Sequence, residues 1–218
     1  MKKNPTLSKK RYKWFVGVDE VGRGPLAGPV SVGLFAIRAD SKFDQNLKHF
    51  GVKIGDSKKI SESDRVKTRD FLVRVKKDMK DFSTDFHFSV LHKSAAEIDK
   101  RGITVCIHAL VNESIKKFSK KYELDSARDV FAFLDGSLKT TQCDFEVIIK
   151  GDSKVPLIGA ASIIAKVTRD ELMKKLAQKH PKYGLEIHKG YGTLAHRTAL
   201  KKHGPSLIHR TSFLGRIL

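Results

Sequence analysis

Trp14-Phe15-Val16-Gly17-Val18-Asp19-Glu20-Val21-Gly22-Arg23-Gly24-Pro25-Leu26-Ala27-Gly28-Pro29-Val30 is the stretch from which the rest of the chain can be read. Trp14, Phe15, Val16 and Val18 form an apolar run of strand length, and Asp19 and Glu20 stand where it stops. Two neighbouring carboxylates at the end of a buried strand repel each other and lose hydration. They need a cation or a set of donors, and a divalent metal ion meets that need. Gly22-Arg23-Gly24 follows at once. Its glycines let main-chain N–H groups approach a ligand, and the arginine between them can clasp an anionic oxygen. A solvated turn uses the same residue types. A dinucleotide loop is set aside, because Gly22, Gly24 and Gly28 are spaced G-x-G-x-x-x-G, one residue longer than that fingerprint.

Working outward, Pro29 to Ile37 reads as a second strand that pairs antiparallel with the first. Residues 38–56 are polar and irregular. Ser61-Glu62-Ser63-Asp64 is a capping-box-like start for a helix to about Lys80, carried by Val66, Phe71, Leu72 and Val75. Phe82, Phe86, Phe88 and Val90 alternate with polar residues as a third, half-buried strand. Ser94 to Glu97 starts a short helix, and Thr104 to Tyr122 is a longer one.

Val130 to Leu134 is an uninterrupted apolar run that ends in Asp135-Gly136, and the run through Phe145, Val147, Ile148 and Ile149 ends in Lys150-Gly151-Asp152. Three strands thus each deliver an acid at the C-terminal end, where open sheets form ligand crevices. Pro156 to His180 has the pattern of a long helix with Ile158, Ala161, Ala165, Leu172 and Leu176 on its buried face. His188 to Thr193 is a glycine-rich loop exposing Tyr191, and Thr193 to His203 is a basic helix ended by Gly204-Pro205. The order of elements predicts an α/β fold, a mixed central sheet flanked by helices with a helical C-terminal part.

The chain has 218 residues, 40% of them hydrophobic, and no Pro, Gly and Ser-rich linker divides it. One domain over residues 14–218 is expected, preceded by a basic, mobile tail over residues 1–13. No apolar run reaches membrane-spanning length and no signal-peptide core opens the chain, which predicts a cytoplasmic protein. Cys106 and Cys143 lack C-x-x-C spacing and read as reduced, structural thiols. Lys plus Arg number 43 against 24 Asp plus Glu, and a formal charge of +19 points to a polyanionic partner.

The opening stretch from Gly17 to Pro29 resembles the signature of the bacterial ribonuclease HII family. The resemblance continues in Asp56-Ser57-Lys58-Lys59, Leu134-Asp135-Gly136, Lys150-Gly151-Asp152-Ser153-Lys154, Ala160 to Asp170, His188-Lys189-Gly190-Tyr191-Gly192-Thr193, Gly204-Pro205, His209-Arg210 and Phe213. It implies the ribonuclease H-like fold and an endonuclease that acts on RNA–DNA hybrids and on duplex DNA containing single ribonucleotides, leaving 3′-hydroxyl and 5′-phosphate ends. It implies Asp19, Glu20, Asp135 and Asp152 as catalytic metal ligands for Mn²⁺ or Mg²⁺, with two ions in the substrate complex. Gly22, Arg23 and Gly24 match the loop that contacts the ribonucleotide, where the 2′-OH tells RNA from DNA. Tyr191 matches the aromatic that packs on the sugar, and Lys58 and Lys189 match basic positions near the backbone. The related ribonuclease HIII carries an extra N-terminal domain and lacks the Gly-Arg-Gly-Pro-Leu-Ala-Gly wording; with thirteen residues ahead of Trp14, no such domain is expected.

The implied chemistry suits the residues. A phosphodiester is already anionic, so attack on it needs cations to screen charge, generate the nucleophile and stabilise the leaving oxygen. The alternative is a non-catalytic nucleic-acid binder using its basic surface alone. Four acids count against it, since a pure binder would gain affinity by losing them. A monomer is expected, with no membrane contact. Asp170 is expected away from the site, about 160° around the long helix from Leu172 and paired with Arg169 or Lys174.

Overall fold

The computed structural model describes residues 12–41, 59–78, 85–215 and 217. The opening apolar run is strand β1 (Trp14–Val21), and β2 (Val30–Arg38) pairs with it antiparallel, from Trp14 opposite Arg38 to Val21 opposite Ser31. Strand β3 (Phe86–Lys93) continues antiparallel along β2. On the other side β4 (Val130–Asp135) lies parallel to β1, and β5 (Asp144–Ile148) lies parallel to β4. The order β3-β2-β1-β4-β5 makes β1 central and brings the C-terminal ends of β1, β4 and β5 to one edge of the sheet.

Helix α1 spans Glu62–Asp78, α2 spans Ala95–Arg101 and α3 spans Ile103–Lys121. Their starts follow from local chemistry. The Ser61 hydroxyl accepts the Asp64 N–H at 3.1 Å, and Ser94 with Glu97 closes a reciprocal capping box. A short α4 (Ser126–Asp129), capped by the Asp125 carboxylate, leads into β4. The chain then runs through α5 (Pro156–Lys179), a short α6 (Leu185–His188) and α7 (Leu194–His203).

Helix α3 covers one face of the sheet, where Ile107, Leu110, Val111, Ile115 and Phe118 pack on Trp14, Val16, Val18, Val32, Leu34 and Leu134. The opposite face is covered by α5 and α1, through Leu157, Ala160, Ala161, Ile164, Leu72 and Val75 against Phe35 and Phe86. A third cluster joins Leu26 and Ala27 to Met173, Ala177, Tyr183, Leu185, Leu200 and Leu214, and so welds the C-terminal helices to the loop that follows β1.

Two glycines set how α5 lies on the sheet. A Cβ at Gly17 would stand 2.2 Å from the carbonyl carbon of Leu157, and one at Gly33 would stand 2.4 Å from the carbonyl oxygen of Ala161. Helix backbone therefore rests directly on strand backbone, and every residue from Leu157 to Ala165 is buried. Beyond that point the helix leaves the sheet and is clasped by the C-terminal elements. Met173 and Ala177 are its buried side there, while Leu172 and Leu176, expected on that side, are only half buried.

Two boundaries move relative to the sequence reading. Tyr12 and Lys13, placed in the tail, belong to the folded body. Tyr12 is buried against Phe131 with its hydroxyl donating to Asp144 at 2.7 Å, and the Lys13 N–H donates to Asp129 at 2.9 Å. The rest of the expected tail lies outside the described residues. The third strand begins at Phe86 and runs on to Lys93, because its register is set by pairing along the whole of β2 and not by its own alternation; Phe82 lies outside the described residues. Among the described residues no helix is long and apolar enough to cross a membrane.

Candidate active site

Asp19 and Glu20 are delivered by β1, Asp135 by the last position of β4, and Asp152 by a 3₁₀ turn (Gly151–Ser153) that follows β5. All four line one cleft of about 490 Å³, together with Gly22, Arg23, Gly24, Lys150, Ser162, Lys166 and Tyr191. The parallel arrangement of β1, β4 and β5 is what makes residues more than a hundred positions apart neighbours.

Asp19 is only 7% exposed, and burial raises its pKa from 3.8 to about 7, with repulsion from Asp135 and Glu20 adding to the rise. The Ser162 hydroxyl and the Glu20 N–H, the latter 2.7 Å from Asp19 Oδ1, pull the other way without cancelling it. Glu20 is turned toward Arg23, whose Nε lies 3.3 Å from Glu20 Oε1, and Asp135 Oδ1 accepts the Gly151 N–H at 2.6 Å. Among the described residues no three acid, histidine or cysteine side chains already stand together as a closed cage. The donor set nonetheless fits hard divalent cations. It is all oxygen, and it gathers four carboxylates, the most buried of which, Asp19, has its pKa raised to about 7 chiefly by burial.

Gly22 has φ +86°, a left-handed conformation that glycine adopts freely, and a Cβ there would stand 2.2 Å from Arg169 Nε. The loop is stitched to the C-terminal region by main-chain bonds from Leu26 N–H to Gly190, Gly28 N–H to Ile208 and Arg210 N–H to Leu26, each 2.8 Å long. Tyr191, 41% exposed, stands at the rim of the cleft. Its carbonyl is fixed by a relay of imidazoles. The Ser206 N–H donates to His209 Nδ1, so His209 donates from Nε2 to His196 Nε2 (3.1 Å), and His196 Nδ1 donates to the Tyr191 carbonyl (2.9 Å). Burial lowers the pKa of both rings, that of His209 to about 4, and keeps them neutral as the relay requires.

Eight of the ten residues expected at the site thus meet in the cleft. Lys58 lies outside the described residues. Lys189 does not reach the cleft: its backbone is left-handed (φ +51°), its side chain is buried, and its ammonium donates to the Glu186 carbonyl. Asp170 stays out of the cleft lining as expected, but its partner differs. Lys166 Nζ, one helical turn earlier, lies 2.9 Å from Asp170 Oδ1, while Lys174 pairs with Glu62 and Arg169 turns inward. Lys150, Ser162 and Lys166 were missed by the sequence reading. Ser162 and Lys166, one helical turn apart, are the polar positions in the otherwise apolar first half of α5, Pro156 to Val167, a spacing that could have marked a helix edge facing the site.

A mixed sheet of this order, with acids gathered at the C-terminal ends of its parallel strands, fits the ribonuclease H-like fold class. The sequence profile described as Ribonuclease HII matches residues 16–215. The Ribonuclease HII of Chloroherpeton thalassium is 39% identical over 208 residues, covering 94% of this chain and 91% of that protein. The crystal structure of the ribonuclease H2 of Pyrococcus horikoshii OT3 superposes with a TM-score of 0.64 at 28% identity, over 94% of this chain and 96% of that one. Bst-RNase HIII, in a structure described as a complex with Mn²⁺, shares the fold with a TM-score of 0.64 at 16% identity, over 96% of this chain and 71% of its own. The chain belongs to the ribonuclease HII family and is a ribonuclease H.

Proposed function

We propose that this ribonuclease H hydrolyses the RNA strand of RNA–DNA hybrids and cuts duplex DNA at single embedded ribonucleotides, leaving 3′-hydroxyl and 5′-phosphate ends. The observation that carries this reading is the meeting of Asp19, Glu20, Asp135 and Asp152 in one cleft with Gly22-Arg23-Gly24 and Tyr191 at its wall. The four carboxylates would hold two divalent ions, Mg²⁺ or Mn²⁺. Bound there, such ions screen the phosphate, lower the pKa of the attacking water and stabilise the leaving 3′ oxygen.

The remaining work falls to the chain itself. Asp19, held to Ser162 and the Glu20 N–H, has a fixed orientation before substrate arrives. Asp135 is oriented by the Gly151 N–H in the same turn that presents Asp152, so two acids from different strands move as one unit. Lys150 and Lys166 bring positive charge to the same cleft and favour approach of an anionic strand. Main-chain donors of the Gly22-Arg23-Gly24 loop read the ribose hydroxyl, and the Tyr191 ring packs against the sugar. Mn²⁺ bound by the structurally similar HIII protein supports divalent-ion dependence.

A duplex carrying one ribonucleotide, incubated with Mg²⁺, with Mn²⁺ and with chelator, tests this. Cleavage at the ribonucleotide that leaves a 3′-hydroxyl on one fragment and a 5′-phosphate on the other is expected with either ion and none with chelator. Asp135→Asn is expected to abolish cleavage while leaving hybrid binding within a few fold. Cleavage that survives chelation, or near-normal turnover of Asp135→Asn with Mg²⁺, would remove the metal-ligand roles.

A further inference from the structure

Two arginines that are 0% exposed, Arg169 and Arg210, have no carboxylate on their guanidinium groups among the described residues, and both are bonded to main-chain carbonyls. Arg210 donates from Nη2 to the Gly22 carbonyl (2.7 Å), from Nη1 to the Arg23 carbonyl (2.9 Å) and from Nε to the Gly28 carbonyl (3.0 Å). Arg169 donates to the carbonyls of Pro29, Lys189 and Ala27, at 2.9, 3.1 and 3.4 Å. A buried guanidinium is costly unless its donors are met. Here one planar fork meets three carbonyls of the same loop, which a lysine ammonium on a flexible stem could not span in this geometry.

Those carbonyl bonds have a directional consequence. In a trans peptide the C=O and the following N–H point to opposite sides, and the chain contains no cis bond among the described residues. With the Gly22 and Arg23 carbonyls drawn down onto Arg210, the N–H groups of Arg23 and Gly24 face the other way. Gly22, Arg23 and Gly24 line the cleft and Arg210 does not. Among the described residues neither N–H donates to a main-chain acceptor. Two successive main-chain donors aimed at one space form a binding concavity for an electronegative oxygen.

We propose that Arg210 is a specificity-determining positioning residue: by holding the Gly22 and Arg23 carbonyls it aims the Arg23 and Gly24 N–H groups at the ribose of the bound strand, and Arg169 braces the far side of the same loop. The inference rests on the reading of this loop as the ribose contact. The guanidinium touches no substrate and acts only through the peptide planes it turns.

The test measures affinity, in EDTA so that nothing is cut, for two duplexes of one sequence, one with a single ribonucleotide and one all DNA. The wild type is expected to prefer the ribonucleotide duplex. Arg210→Lys, which keeps the charge, is expected to lose that preference by tenfold or more while its affinity for all-DNA duplex stays within twofold. Asp99→Asn serves as control. Asp99 binds the N–H and hydroxyl groups of Thr211 and Ser212, so its loss loosens the same segment without touching the loop carbonyls. It should leave the preference intact.

A wild type with no preference removes the loop's part in reading ribose. A wild-type preference that Arg210→Lys retains, or that Asp99→Asn abolishes equally, overturns the role of the guanidinium alone. If Arg210→Lys does not fold, hydrogen exchange on the wild type decides the matter. The Arg23 and Gly24 amides should exchange fast in the free protein and gain protection with the ribonucleotide duplex but not with all-DNA duplex. Protection already present in the free protein would mean that the two N–H groups do not face the cleft.

Discussion

Asp19→Asn should make the metal-free protein more stable at pH 8 while destroying its activity. The wild-type carboxyl has its pKa raised from 3.8 to about 7, first by burial and then by its acidic neighbours. Well below pH 3.8 the group is protonated in both the folded and the unfolded chain and has no effect on stability. As pH rises past 3.8 the unfolded chain ionises it while the folded chain keeps its proton until about 7, so folding is increasingly disfavoured across that window. The difference between the two pKa values corresponds to about 4 kcal/mol, reached by pH 8. Asparagine has no proton to lose and can still accept one of the two hydrogen bonds. The variant's unfolding free energy relative to wild type should therefore climb by about 4 kcal/mol between pH 4 and pH 8. Urea unfolding in EDTA, followed through the single tryptophan, buried Trp14 against Phe118, reads this directly. Added Mg²⁺ or Mn²⁺ at pH 8 should narrow the gap by stabilising the wild type. Parallel pH profiles for the two proteins would refute the burial of an unrelieved charge at Asp19.

Asp152→Asn should lower turnover a hundredfold or more under saturating Mg²⁺, about 3 kcal/mol in the barrier. Asp170→Asn should lower it far less but cost about 2 kcal/mol of stability, because Lys166 loses the partner 2.9 Å away; a larger turnover loss at Asp170 would reverse the assignment. Gly17→Ala should destabilise by roughly 3 kcal/mol, since its Cβ would press on the Leu157 backbone and neither strand nor helix can yield; a thermal midpoint unchanged within error would show that α5 does not lie on Gly17. Binding to an uncleavable duplex should weaken steeply with salt, as the +19 charge requires, and a flat log–log plot would remove the electrostatic contribution.

Much of the fold was legible because short-range rules governed it. Val16 and Val18 had to be buried wherever β1 went, and the Ser94 capping box started α2 from chemistry within four residues. The acids were legible for the same reason: Asp19-Glu20 and Asp135 each follow an apolar run of strand length, and a carboxylate there demands a cation or donors. What the sequence alone could not settle is what depends on elements distant along the chain. Lys189 matches a basic position near the nucleic-acid backbone, but its side chain is buried and its ammonium donates to the Glu186 carbonyl. Asp170 had three cations in sequence range, and the contacts of α5 with the loop after β1 and with α1 took Arg169 and Lys174 elsewhere and left Lys166. Arg210 lies 188 positions from Gly22, and no periodicity or motif spacing states that its guanidinium orients that loop. Sequence fixes which groups are expensive to leave unpaired; only the packed chain decides which partner is within reach.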